Sequence, residues 1–200
     1  MATRRVSARA SSDDHGQFFG TPETCWLIDH PDRRMRLLSE FSFVDPDKVP
    51  WKVPPKYVVD GASIPRALWT LVGSPYTGDY RRASIVHDKA CDDAKGNNSA
   101  RKAADRMFYH ACRAGGCSPA YALLLYLGVR FGAWMPSVAA WRGLRQKEGV
   151  LFLSAADGRM QADFRLVGEK LLSAAPTDDP MEIQRRTDAA IKAELRVSFS

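Results

Sequence analysis

The stretch of sequence that decides the fold runs from residue 58 to residue 109 and contains three short motifs. They read VVDGASIP at residues 58–65, RASIVHD at residues 82–88 and AADRMFY at residues 103–109. The first is typical of a strand that ends in a glycine-containing loop, and the other two lie in segments with the hydrophobic period of a helix. This order predicts a loop with one carboxylate, a helix with a His-Asp pair, and a second helix with one further carboxylate.

The residues before the first motif predict a β region. Residues 24–28 have the composition of a short strand, and residues 35–44 have the β-branched and aromatic content of a second strand. The polar turn between them predicts a hairpin, and residues 57–59 form a third strand that leads into the loop. Residues 1–16 are polar and serine-rich, which predicts a disordered tail.

The residues after the loop predict three helices. The first begins near Tyr80, and the second runs from about residue 99 to residue 114 with Asn98 or Ser99 as its N-cap. A third, very apolar helix follows from Ser118 through about residue 134. We expect the first two helices to pack as an antiparallel pair, with the third helix against them.

The pattern weakens after Pro136. Residues 150–153 favour a strand, residues 163–172 are compatible with a strand or a helix, and residues 180–197 predict an amphipathic helix. The chain is therefore predicted to be an α+β protein in which β-hairpins precede the helices. We expect a core domain at residues 17–135 and a C-terminal extension, residues 136–200, that packs on it.

The composition limits the classes of partner. The hydrophobic share of 45% and the charged share of 26% are ordinary for a soluble globular protein. The net charge of +6 favours anionic partners such as phospholipid headgroups or a membrane surface, although it is equally compatible with simple solubility. The basic residues are spread along the chain, so we expect no specific nucleic-acid site.

Cysteine usage and the N-terminus bear on metal binding and location. The four cysteines include no CxxC pair, so a structural zinc site is not expected. Cys91 and Cys112 could be reactive thiols, but small core residues are favoured. No apolar segment follows the basic N-terminus, and the apolar run at residues 121–131 is too short to span a bilayer. We expect synthesis in the cytoplasm, with later delivery elsewhere or virion association left open.

The three motifs supply residue types that suit metal-assisted hydrolysis. His87 is a natural general base, and Asp88 is a natural ligand for a hard cation such as Ca²⁺. Asp105 could reach the other imidazole nitrogen from the facing helix and fix its tautomer. The loop at Asp60 and Gly61 could cradle the cation with a carboxylate and backbone carbonyls. A simpler interpretation is that His87 is a buried histidine held by a structural aspartate.

A His-Asp pair is also found in HD-domain phosphohydrolases, but that class needs further metal ligands around the pair. The other histidines are His15 in the predicted tail, His30 in a predicted turn, and His110. These positions do not supply the upstream histidine that the class requires, so this interpretation is disfavoured.

The motifs DGASIP, HD and AD-x-x-F resemble a family of phages and bacteria, the domain of unknown function thirteen fifty-three, over residues 17–135. That resemblance implies no activity. More distantly, the chain resembles secreted prokaryotic phospholipases A2, whose loop and His-Asp helix carry a cysteine pair. Ala62 and Ser84 stand at those two cysteine positions here, and Cys91 stands where that family carries an aromatic residue.

The phospholipase resemblance implies a phospholipase A2-like antiparallel helix pair and a calcium-dependent ester hydrolase. In that enzyme Asp88, Asp60 and a carbonyl near Gly61 would hold Ca²⁺, His87 would be the general base, and Asp105 would orient it. One alternative is a non-catalytic phage or prophage accessory protein, with His87, Asp88 and Asp105 in a buried polar network. Another is a different metal-assisted hydrolase that acts on cell-wall material. Exposure of His87, Asp88 and Asp60 distinguishes the phospholipase from the accessory protein, because an open cleft favours the enzyme and burial favours the accessory protein.

Overall fold

The structure of the chain is a computed structural model. It describes residues 12–29, 34–61, 63–74, 78–134 and 150–195. The predictions that concern Ala62 and most of the N-terminal tail lie outside the described residues.

Two small antiparallel sheets, each of three strands, occupy the N-terminal part of the described chain. The strands are β1 (Gln17–Phe19), β2 (Thr24–Trp26), β3 (Met35–Leu37), β4 (Phe41–Val44), β5 (Pro50–Val53) and β6 (Val58–Val59). The first sheet has the order β1-β4-β5, and the second has the order β2-β3-β6. The predicted hairpin is therefore present as β2 and β3, and β6 leads into the loop at Asp60.

The prediction of one strand over residues 35–44 is wrong, because this segment forms β3 and β4 in different sheets. The buried side chains are Met35, Leu37, Phe41 and Phe43, which keep one alternating phase across the break. A period of two therefore gives no sign of the bend. At the bend the backbone N–H of Leu38 donates to the carbonyl oxygen of Glu23, and the Leu38 side chain is exposed.

Six helices follow within the described residues. They are α1 (Trp69–Val72), α2 (Arg81–Asp93), α3 (Asn98–Ala114), α4 (Pro119–Trp134), α5 (Val150–Ser173) and α6 (Pro180–Leu195). A 3₁₀ turn at Arg66–Leu68 precedes α1, and another at Ser12–His15 precedes β1. The chain is thus an α+β protein whose N-terminal strands come first.

The sequence pattern correctly predicted four of the helices, namely α2, α3, α4 and α6. The N-cap of α3 is Asn97, not Asn98 or Ser99, and its side chain accepts a hydrogen bond of 3.0 Å from the backbone N–H of Ala100. The predicted tail overlaps with the 3₁₀ turn at Ser12–His15, whose His15 side chain is buried.

The predicted strand at residues 150–153 is wrong, since these residues begin α5. Residues 163–172, for which strand and helix were both open, belong to the same helix. A short apolar run does not distinguish a buried strand from a buried helix segment. Helix α5 packs against α4, α6 and the 3₁₀ turn at Arg66–Leu68. This tertiary packing favours the helix over the strand.

The helices are layered on the sheets around one apolar core. The turn between α2 and α3 is short, so the two helices lie side by side, and α4 packs on α3. Helix α6 packs on α5 and α3, so the C-terminal segment contacts the helix that carries Asp105. Within the described part of the chain, no helix has both the length and the hydropathy needed to cross a membrane.

Candidate functional site

The His87 side chain belongs to the buried face of α2. Ala83, Ser84 and Ala90 lie on the same helix and are buried. On α3, Asp105 is buried among apolar neighbours, between Ala104 and Met107. Asp105 lies at the border of the apolar stripe that Ala104, Met107, Phe108 and Ala111 form on α3, yet its exposed fraction is 0%. The side chains of His87 and Asp105 therefore both project into the interface between the two helices.

His87 and Asp105 are joined by a direct hydrogen bond. The imidazole Nε2 lies 2.9 Å from Asp105 Oδ1, and both side chains are 0% exposed. The His87 ring also packs against Phe108, with 4.7 Å between ring centroids. The predicted contact between the two helices is present, but it lies in the protein interior.

Two arginines complete the hydrogen bonding of Asp105. Arg101 Nε donates to Oδ1 over 3.1 Å, and Arg130 Nη1 donates to Oδ2 over 3.0 Å. Burial alone would raise the pKa of Asp105, but His87 and the two guanidinium groups lower it below its ordinary value. Burial would likewise lower the pKa of His87, but Cys91 and Asp105 raise it to about 9.

The network extends from α4 to the C-terminal helix. Arg130 is buried, and its Nη2 and Nε atoms donate to Asp188 Oδ1 on α6 over 2.8 and 3.1 Å. Lys102 Nζ lies 3.8 Å from the other carboxylate oxygen of Asp188. The interactions around His87 therefore link α2, α3, α4 and α6 in one chain of charged side chains.

Cys91 lies one turn after His87 and is half-buried. Its Sγ is 3.4 Å from His87 Nε2 and 3.6 Å from His87 Nδ1. These nearly equal distances place the sulfur over the ring and not in line with either ring nitrogen. A ring nitrogen of His87, the Cys91 sulfur and a carboxylate oxygen of Asp105 all lie within 4.8 Å of one another.

Asp60 and Asp88 form a separate acidic pair near the surface. The backbone N–H of Asp60 donates to Asp88 Oδ2 over 2.9 Å, and Asp60 is exposed. Gly61 has φ +100°, a conformation that favours glycine. Burial and the neighbouring Asp60 carboxylate raise the pKa of Asp88 to about 8. The structure therefore brings the proposed metal-loop residues together, while His87 and Asp105 are sealed in the interior.

Sequence reasoning missed three members of the network: Arg101, Arg130 and Asp188. Arg101 precedes Asp105 by four residues on the same helix, which is a spacing that brings side chains together. Arg130 interrupts an otherwise apolar helix, and a buried charge needs a partner. No local pattern connects Asp188 to either residue, so its role depends on the tertiary structure.

Comparison with curated proteins finds relatives that are described as uncharacterized proteins. One is the uncharacterized protein y4jT of Sinorhizobium fredii, 38% identical over 119 residues, which are 56% of this chain and 34% of that protein. Another is the uncharacterized protein y4iH of the same organism, 34% identical over 142 residues, which are 68% of this chain and 57% of that protein. The chain thus spans about a third and somewhat over half of their lengths.

No solved structure matches this chain. Residues 35–129, which contain β3 to β6 and the helices that carry His87 and Asp105, match the model of a family described as a protein of unknown function, DUF1353.

Proposed function

We propose that the chain is a non-catalytic accessory domain in which His87 and Asp105 form a buried polar network that fixes the packing of the helices. The observation that supports this proposal is the 0% exposure of both side chains. A general base must lie within hydrogen-bond reach of the water or hydroxyl that it deprotonates. Asp105 occupies Nε2 of His87, so only Nδ1 could act as the base, and the 0% exposure of the side chain keeps water away from it.

The hydrogen bonding of Asp105 supports a structural role. Both of its oxygens accept from protein donors, namely His87, Arg101 and Arg130. A satisfied polar network in a low-dielectric interior is costly to break and favours one helix register over its alternatives. Removal of one partner from a buried ion pair commonly costs about 3–5 kcal/mol. A phage or prophage setting for this accessory role is part of the proposal.

A second candidate is the calcium-dependent, phospholipase A2-like ester hydrolase. The specific observation in its favour is the Asp60–Asp88 pair beside Gly61, because oxygen ligands near a sharp loop suit Ca²⁺. Its substrate would be an anionic phospholipid surface, which the net charge of +6 would attract. This candidate requires α2 and α3 to separate enough to admit water to His87.

A hydrolysis assay on phospholipid vesicles tests the two candidates. We expect folded wild-type protein to release no fatty acid, either with Ca²⁺ or with a chelator. The matched variants are Asp88→Asn in the acidic pair and Asp93→Asn, whose side chain is 65% exposed on the same helix. Calcium-dependent hydrolysis that disappears in Asp88→Asn and survives in Asp93→Asn would overturn the non-catalytic proposal.

The assay also needs a measure of folding, because a loss of activity in His87→Gln has two explanations. Thermal unfolding by circular dichroism should show a large loss of stability for this variant if His87 is structural. Full stability together with a loss of lipid hydrolysis would assign His87 to catalysis.

A further inference from the structure

We infer that His87, Cys91 and Asp105 form a binding site for a borderline divalent cation such as Zn²⁺. This inference goes beyond the proposed function, since a metal at this place would join α2 to α3 whether or not the domain is catalytic. The three side chains offer an imidazole nitrogen, a thiolate sulfur and a carboxylate oxygen, which are the ligand types that zinc takes in proteins.

The two helices hold the three ligand side chains close together before any metal binds. His87 and Cys91 are four residues apart on α2, so they share one helix face, and Asp105 faces them from α3. The nitrogen–sulfur distance is 3.4 Å, the nitrogen–oxygen distance is 2.9 Å, and all three ligand atoms lie within 4.8 Å of one another. With zinc bonds of about 2.0–2.3 Å, two ligands of one ion lie at most about 4.4 Å apart. To bind one ion, His87 Nε2 and Asp105 Oδ1 would have to move apart, and the Cys91 side chain would have to rotate from its place over the ring toward Nε2.

The sulfur decides which ion the site would take. Ca²⁺ binds oxygen ligands, whereas thiolate and imidazole select zinc and related metals. The sequence argues against a structural zinc site only because it contains no CxxC pair. A mixed set built from one cysteine, one histidine and one aspartate leaves no such pair in the sequence. This site is therefore distinct from the oxygen ligands of Asp60 and Asp88.

Arg101 is the group that a metal ion would displace. Its Nε donates to Asp105 Oδ1, but its Nη2 is buried without a hydrogen-bond partner. A buried donor without a partner is unfavourable, and the Arg101 side chain is 22% exposed, so it can move outward. Arg130 would stay on Asp105 Oδ2 and orient the carboxylate, because Asp188 compensates its charge.

Metal binding would change the protonation of two ligands. The Cys91 thiol would lose its proton to solvent, and the ligating ring nitrogen of His87 would also release to solvent the proton that it donates to Asp105. The positive charges of Arg101 and Arg130 repel a metal cation. Removal of the Arg101 charge should therefore increase the affinity of the site for the metal. This dependence separates a real site from adventitious binding to surface carboxylates.

Cobalt is a suitable probe because a thiolate ligand to Co²⁺ produces a near-ultraviolet charge-transfer absorption. We expect the reduced chain of 200 residues to show this absorption, to saturate with one equivalent of Co²⁺, and to lose the signal on addition of Zn²⁺. Cys91→Ser should abolish the absorption. Cys25→Ser is the matched control, since Cys25 is also a half-buried free thiol but lies on β2, and it should keep the signal.

A second pair of variants tests the displacement of Arg101. Arg101→Ala should bind Co²⁺ several-fold more tightly, because it removes a competing cation from Asp105. Arg106→Ala should leave the affinity unchanged, since Arg106 is on the same helix but contacts Gln184. Absence of thiolate absorption in the wild type, its persistence in Cys91→Ser, or weaker binding in Arg101→Ala would each overturn the inference.

Circular dichroism of Cys91→Ser should confirm that this variant folds, so that a lost signal reports a lost ligand. Different results would contradict the metal site and the proposed function. A zinc-dependent hydrolysis of lipid would overturn the non-catalytic proposal and leave the metal site standing. A lack of cobalt binding by an inactive, folded protein would overturn the metal site alone.

Discussion

Arg130 on α4 binds Asp188 on α6 through two hydrogen bonds, of 2.8 and 3.1 Å, while its remaining terminal nitrogen binds Asp105. Arg130 is the residue directly after the family-matched span of residues 35–129. Arg130 thus connects the His87–Asp105 pair to α6, which lies well outside that span. This link indicates that the C-terminal segment stabilises the core.

Replacement of Asp188 should therefore destabilise the whole chain. Asp188→Ala leaves the buried Arg130 with Asp105 alone, and loss of a hydrogen bond to a charged group should cost about 1.5–3 kcal/mol of the free energy of unfolding. Glu194→Ala is the control, since Glu194 pairs with the exposed Lys170 on the surface and such pairs contribute about 0–1 kcal/mol. Urea denaturation measures both variants, and equal losses would contradict the role given to Asp188.

The His87–Asp105 contact should be energetically coupled. His87→Ala and Asp105→Ala each leave buried charged or polar groups without a partner, and we expect each to cost about 3–5 kcal/mol. Because the two side chains share one hydrogen bond, the double variant should lose less than the sum, with a coupling of about 0.5–3 kcal/mol. Equilibrium unfolding of the four proteins closes the cycle. Strict additivity would show that the contact contributes nothing.

His110 should contribute stability that is lost in weak acid. Its Nδ1 lies 3.1 Å from His15 Nδ1. Burial and His15 lower the pKa of His110, and they outweigh three carboxylates that act in the other direction, Asp45, Asp47 and Asp178. The unfolded chain then binds the proton more strongly than the folded chain. The stability is therefore lost progressively as the pH falls from the ordinary histidine pKa of about 6.5 through the lower pKa of the folded state.

The melting temperature of the wild type, measured relative to that of His110→Gln, should decrease between about pH 7.5 and pH 5. The comparison isolates His110, because every other titrating group, including His87 and Asp88, is common to both proteins. Parallel pH profiles for the two proteins would show that His110 does not contribute.

Gly132 should not tolerate a side chain. A Cβ atom at this position of α4 would lie 1.9 Å from the carbonyl oxygen of Ser63, the last residue of the DGAS motif. Gly132→Ala should destabilise the fold by about 1–3 kcal/mol through overpacking. A Cβ atom at Gly158 on α5 would meet no other atom within 4 Å, so Gly158→Ala should be neutral or stabilising by about 0.5–1 kcal/mol. Thermal unfolding distinguishes the pair, and equal shifts would contradict the close packing of α4 on the loop.

Most helices were predictable because their burial has a local period. Helix α3, for example, places Ala104, Met107, Phe108 and Ala111 on one face, and such a stripe is visible in the sequence alone. The failures occurred where the local pattern was ambiguous. Residues 35–44 keep one alternating phase across a bend, and residues 150–153 are an apolar run that suits either a strand or a helix.

The contact between His87 and Asp105 was also predictable, since a short turn brings adjacent helices side by side. Its environment was not, because burial depends on side chains from distant parts of the chain. The sequence left an open hydrolase site and a buried polar network as alternatives, and the structure surrounds the pair with Phe108, Arg101 and Arg130. The function of the same two residues therefore depends on their surroundings.

The sequence by itself determined the helices α2, α3, α4 and α6, their buried faces, and the pairing of His87 with Asp105, because each depends on residues close together in the chain. Only the tertiary structure decided that this pair is sealed from solvent, and that Arg130 connects it to Asp188. Those features depend on contacts across 58 residues, and no local periodicity encodes which distant charge will neutralise a buried one.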